Sequence, residues 1–297
     1  MVNDWFYIAL IAPAIWALVN IIDDNLIRGV YRNPYFGTII SGFFALLPVL
    51  SVFFIPISIP SLPVIIFSFL AGFLVVSAYW FYFKALMSDS PSIIVALWTL
   101  TAAMLPFLAF VFLQETLQFK QYVGFVIILV ASMILSVVNI KKLTFSKTFF
   151  FMIIASIFIA ITSILEKYIY THIDFWSGFI FISIGMGLGA LFFSISFKAG
   201  RMFFKEFQGK FRKYIWIFLF SELLNILAVF FSNLAISKGP VSLVKVVEGM
   251  QPFYVLLYAI VFYPFFPNYF REATQENKLK KVLCMMIIIL GLYFIYN

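Results

Sequence analysis

Five polar side chains stand where a chain this apolar would not ordinarily keep them. Glu222 and Asn225 interrupt the hydrophobic run Tyr214–Ile236, and Lys245, Glu248 and Gln251 interrupt the next, Val241–Phe266. The turn Ser237-Lys238-Gly239-Pro240 joins the two runs. A charge near a bilayer centre costs roughly 2.5–3.5 kcal/mol on insertion scales, so ionisable residues there are candidates for function. Spacing of i, i+3, i+6 puts Lys245, Glu248 and Gln251 on one helix face, while Glu222 and Asn225 form a stripe on the antiparallel neighbour. Counting about 1.5 Å per residue from the turn brings Asn225 and Gln251 level near mid-depth. Two chemistries fit. Lys245 and Glu248 neutralise each other and hold helices together, or the stripes line a cavity that meets polar groups of a substrate. On the second reading Glu222, with no lysine in its own stripe, is the better candidate for exchanging a proton.

The elements that must position these residues follow from composition. Of 297 residues, 64% are hydrophobic and only 11% charged. A soluble domain carries about 25% charged residues, so the chain is read as an integral membrane protein. Ten stretches reach the roughly 20 apolar residues of a span. They are Trp5–Ile22, Tyr35–Ile55, Leu62–Leu86, Pro91–Leu113, Tyr122–Ile140, Thr148–Tyr170, Trp176–Phe197, Tyr214–Ile236, Val241–Phe266 and Leu279–Tyr296. Their continuous apolarity predicts helices rather than alternating barrel strands. The net charge of +8 fits basic loops facing anionic lipid heads and does not imply nucleic acid. Single Cys284 and single His172 exclude disulfides and give no metal cluster. No phosphate loop or nucleophile–base set is present either, so neither a cofactor nor an enzyme activity is expected.

Other polar residues are weighed by depth. Asp23, Asp24, Glu166 and Lys167 fall near predicted helix ends and read as interfacial anchors. Asn20 lies a turn further in and is a cavity candidate. Tyr79, Trp80, Tyr82 and Trp98 read first as packing or belt residues; on the functional reading they offer a stacking wall to an organic substrate, with Thr99 and Thr101 adding hydrogen bonds. Lone His172 reads as an interfacial residue.

The chain also repeats itself. Asn20-Ile-Ile-Asp23-Asp24 near the end of the first helix resembles Ser163-Ile-Leu-Glu166-Lys167 near the end of the sixth. Ala85…Pro91-Ser92 resembles Ala235…Pro240-Val-Ser242, and Pro106-Phe107 matches Pro252-Phe253. These matches occur in the same order, which predicts two halves, 1–147 and 148–297. Five crossings per half force opposite orientations, giving an all-α membrane protein of ten helices in two inverted five-helix repeats with a site near the midplane.

With Glu115 nine residues after Pro106, Gln121, Gly124, and Gln251-Pro252…Gly291 in the second half, the chain resembles the drug/metabolite transporter superfamily, specifically its EamA-like branch. It departs from that pattern where Val261 stands nine residues after Pro252. The resemblance implies a carrier or exporter of small metabolites, with both termini cytoplasmic. The loop charge bias instead places both termini outside. The expected function is a secondary transporter of a small organic metabolite in the plasma or inner membrane, working by alternating access, with proton coupling through Glu222. The alternatives are a lipid or lipid-carrier flippase and a non-transporting scaffold. The expected partners are a small-molecule substrate and the lipid bilayer, and both a monomer and a homodimer stay open.

Overall fold

In a membrane every backbone N–H and C=O must be satisfied inside the protein, which restricts this chain to helices wherever it crosses. The computed structural model describes residues 4–26, 33–88, 91–136, 147–201, 211–262, 264 and 278–296. The loop residues Lys205, Lys210, Arg271, Glu272 and Glu276 lie outside the described residues. Among the described residues the regular elements are all helical.

Eleven helices are numbered here. They are α1 (Asp4–Leu26), α2 (Pro34–Phe44), α3 (Leu62–Leu86), α4 (Pro91–Leu113), α5 (Phe119–Ser136), α6 (Lys147–His172), α7 (Phe175–Ser196), α8 (Phe211–Lys238), α9 (Val241–Glu248), α10 (Gln251–Phe262) and α11 (Lys278–Tyr296). A 3₁₀ segment, Leu47–Phe53, extends α2. Among the described residues seven spans are long and apolar enough to cross a membrane, and shorter apolar helices cover Leu97–Leu113, Phe119–Ile134 and Val282–Tyr296. The chain is a multi-pass integral membrane protein. Large apolar side chains such as Phe53, Phe54, Phe119 and Trp216 are exposed on its outside, as lipid-facing residues must be.

Proline decides where helices break. Pro13 excludes the carbonyl four residues back, and α1 is interrupted at Leu10. The disturbed turn is met from α10, where Tyr254 donates to the Leu10 carbonyl and Tyr258 to that of Ala14, both at 3.0 Å. Pro252 acts the same way on the carbonyl of Glu248, so the ninth span divides into α9 and α10 around Gly249-Met250. Buried hydroxyls inside helices bond back to their own turn, as Ser68 does to Val64 at 2.7 Å and Ser163 to Ile159 at 2.8 Å.

The central helices are held at close range. α3 packs on α6 and α7, α4 on α6, α1 on α8, α2 on α7, and α5 on α11. At the α3–α7 crossing Gly72 faces Gly185, and a Cβ on Gly72 would overlap the Ile182 carbonyl and the Met186 amide. At the α5–α11 crossing a Cβ on Gly124 would lie 2.7 Å from the Gly291 carbonyl oxygen. Small residues allow such backbone approach between membrane helices. Gly72→Leu is therefore expected to destabilise the fold by about 1–3 kcal/mol or more, read as a lower unfolding midpoint in detergent. An unchanged midpoint would mean the crossing yields.

Candidate functional site

A cavity lies between α1, α3, α4, α6, α8 and α9, with Ser41 from α2 and Gly249 and Gln251 after α9 completing it. It offers about 160 Å³ to the centres of water-sized atoms. That is about ten times the 10–15 Å³ that one water needs, enough for a small organic molecule.

One wall is organised by a closed triangle. Lys245 Nζ lies 2.7 Å from Glu248 Oε2 and donates to Ser232 Oγ at 3.0 Å, while Ser232 donates to Glu248 Oε1 at 2.6 Å. Lys245 is buried and Glu248 nearly so. The two readings of this pair are therefore not exclusive. The residues neutralise each other and also line the cavity.

Glu222 sits on the same helix as Ser232, two to three turns further from the α8–α9 turn. Ser41 donates to its Oε1 at 2.6 Å, and its buried Oε2 accepts no hydrogen bond of proper geometry although Asn225 stands beside it. Asn225 Oδ1 accepts from Trp16 Nε1 at 3.0 Å. Asp23 lies nearby, accepting from Ser221 at 3.2 Å and from Tyr82 at 3.4 Å. Tyr82 also donates to Asn20 Oδ1 at 3.0 Å. The Asn20 and Gln251 side-chain nitrogens are buried, border the cavity and donate to nothing. Unpartnered buried polar groups are rare and costly, and here they converge on one space.

Of the predicted site residues, Asn20, Tyr79, Trp98, Glu222, Asn225, Lys245, Glu248 and Gln251 all border the cavity. Trp80 and Thr99 do not. Neighbouring residues point about 100° apart on a helix, and on α3 Tyr79 borders the cavity while Trp80 lies outside its lining. Tyr79, Tyr82 and Phe83, at i, i+3 and i+4, face inward. Trp80 packs against Tyr35 and Phe193, with Lys84 Nζ 4.0 Å from its ring centre. On α4 the same logic selects Trp98 and Thr101 and turns Thr99 away.

Asp23 and Glu166 are corrections. Expected as interfacial anchors, both are buried and border the cavity. α6 runs six residues past Glu166 to His172, and Asp23, in the last described turn of α1, is covered by Tyr82 and Ser221. Trp16 was missed, although it stands four residues before Asn20 and seven before Asp23 on one stripe. Lys167 is no anchor either. Its Nζ donates to the carbonyls of Ile236 and Gly239, at 3.0 and 2.8 Å, and so caps the end of α8. His172 is exposed.

The start of α9 is capped by Glu115, whose carboxylate accepts from the Val241 and Ser242 amides at 2.9 and 3.1 Å. Pro240 at the N-cap offers no side chain for this. Gln114, at φ 55°, turns the chain at the end of α4 so that Glu115 can reach. The orphan groups of two helix ends are thus satisfied from α6 and from the end of α4.

Comparisons with known proteins complete the description. Residues 4–137 match the EamA-like transporter family, so the resemblance read from the motifs holds over that stretch. No curated protein matches the chain. A crystal structure of another protein aligns with 98% of this chain and 95% of its own length at TM-score 0.68 and 13% identity, a likeness of fold alone.

Two variants test the polar anchors. Lys245→Met strands Glu248 and is expected to cost about 3–5 kcal/mol, most of it recovered in Lys245→Met/Glu248→Gln. A double variant no better than the single would contradict the pairing. Glu115→Ala is expected to cost about 1–3 kcal/mol of stability in detergent. No change would mean that water replaces the cap.

Proposed function

Because residues 4–137 match the EamA-like transporter family, we propose that this chain is a secondary transporter moving a small organic metabolite by alternating access. The observation that carries the reading is the cavity itself. It lies between helices of both halves, is bordered by buried polar groups, and leaves several of those groups without partners. A scaffold would gain nothing from keeping that space open.

The ten-helix arrangement with inverted halves, 1–147 and 148–297, is supported by which helices meet. Exchanging the halves turns the pairing of α1 with α8 into that of α6 with α3, and both pairings occur. The same exchange leaves α2 with α7, and α5 with α11, as each other's partners. The repeat match of Asp23 with Glu166 fits as well, since both border the cavity. The site is held to be Asn20, Tyr79, Trp98, Glu222, Asn225, Lys245, Glu248 and Gln251, joined by Trp16, Asp23 and Glu166. Cofactors and catalysis have no part in this reading. The membrane is the plasma or inner membrane.

Glu222 is the proton-coupling residue in this scheme. Its free Oε2 can carry a proton in one state and meet substrate in the other. The test is uptake by the purified full chain in liposomes, screened against a metabolite panel with and without a pH gradient. Gradient-driven accumulation of a panel solute is expected, and Glu222→Gln should abolish the gradient dependence. Gradient-driven uptake that survives in Glu222→Gln would remove Glu222 from coupling. A panel on which no solute is taken up would count against transport.

A further inference from the structure

Charge balance inside the cavity narrows the substrate beyond a small metabolite. Four carboxyl groups border it, on Asp23, Glu166, Glu222 and Glu248, against the single ammonium of Lys245. That ammonium is already engaged by Glu248 and Ser232. Glu222 and Asp23 face the space without a cation, solvated by the hydroxyls of Ser41, Ser221 and Tyr82, which donate hydrogen bonds but cancel no charge. Glu222 lines the cavity, and its buried Oε2 accepts no hydrogen bond of proper geometry.

Aromatic faces stand among these acids. Trp16 is held by its bond to Asn225, and its ring centre lies 5.9 Å from Lys245 Nζ, so it already faces a cation. Tyr82 and Trp98, which also line the cavity, lie with ring centres 5.9 Å apart. Aromatic faces combined with uncompensated carboxylates recognise ammonium groups through the ring quadrupole and through charge. An anionic group would find no unengaged cation among the described lining residues and would have to break the Lys245–Glu248 pair.

We propose that the substrate is an organic cation, an amine or quaternary ammonium on an apolar or aromatic body, held by Glu222 and Asp23 with Trp16 as its aromatic face. The donors left on Asn20 and Gln251 would meet an acceptor oxygen where the substrate has one. This inference rests on the transporter reading for its biology but not for its test.

The test is equilibrium binding to the purified full chain in detergent, by calorimetry and ligand-induced shift of the unfolding midpoint. The probes are benzyltrimethylammonium, tetramethylammonium and benzylamine, against the neutral isostere neopentylbenzene and the anion phenylacetate. Binding of one or more cations is expected, with the neutral and anionic probes at least about tenfold weaker. Glu222→Gln should weaken the cation at least about tenfold, Trp16→Leu several-fold, and Trp80→Phe, outside the cavity, not at all. Asp23→Asn serves if Glu222→Gln does not fold. Neutral or anionic probes binding as tightly, no probe binding while pH alone shifts the midpoint, or cation binding indifferent to the acid variants would each overturn the proposal. Liposome uptake separates the two readings. Uptake of a neutral panel solute with no cation binding leaves the transporter standing and removes the cation. Cation binding without uptake of any solute does the reverse.

Discussion

Lys245, Glu248 and Ser232 close a triangle of charge and hydrogen bonds in the middle of an apolar protein, and much of the architecture follows from keeping it there. A buried ion pair is no great source of stability, because desolvation offsets most of the attraction. It needs further polar groups around it and tight packing outside them. Elsewhere in the bundle the glycine crossings at Gly72–Gly185 and Gly124–Gly291 bring backbones close. The broken ninth span supplies the polar surroundings, since Pro252 interrupts the helix beside Glu248 and Gln251 emerges at the cavity edge.

The turn before the triangle is held from outside its own helices. Lys167 closes the end of α8 and Glu115 the start of α9, so two charged residues from different parts of the chain meet at one hairpin. The start of α9 has no capping side chain of its own, and at the end of α8 Ser237 Oγ also donates to the Leu234 carbonyl at 2.8 Å. The hairpin is thereby tied to α4 and α6, the same helices that contribute Trp98, Thr101, Thr162 and Glu166 to the cavity. The Glu115 cap joins the two parts 1–147 and 148–297, whereas the Lys167 cap lies within the second.

Much of this was legible in the residues. The apolar runs identified a multi-pass helical chain, and the charged stripes identified part of the cavity lining. What failed was assignment of depth and face. Asp23 and Glu166 looked like helix ends because the apolar runs fade there, yet the helices continue, and a helix can continue through charge when other helices cover it. Trp80 and Thr99 were grouped with Tyr79 and Trp98, but they point about 100° around the helix from those neighbours and fall outside the lining. The split of the ninth span was readable in principle from Pro252. The closing of its ends by Glu115 and Lys167 was not, because those contacts join residues 126 and 72 positions apart.

The central claim is that one cavity serves both sides of the membrane in turn, and thiol accessibility tests it most directly. Val229 borders the cavity and is partly exposed, and Cys284 is the chain's one native cysteine, buried away from that space. In a Cys284→Ala background, Val229→Cys should react with a membrane-impermeant maleimide applied to sealed vesicles from either side, one side at a time. Labelling confined to one side under all conditions, or absent from both, would contradict alternating access.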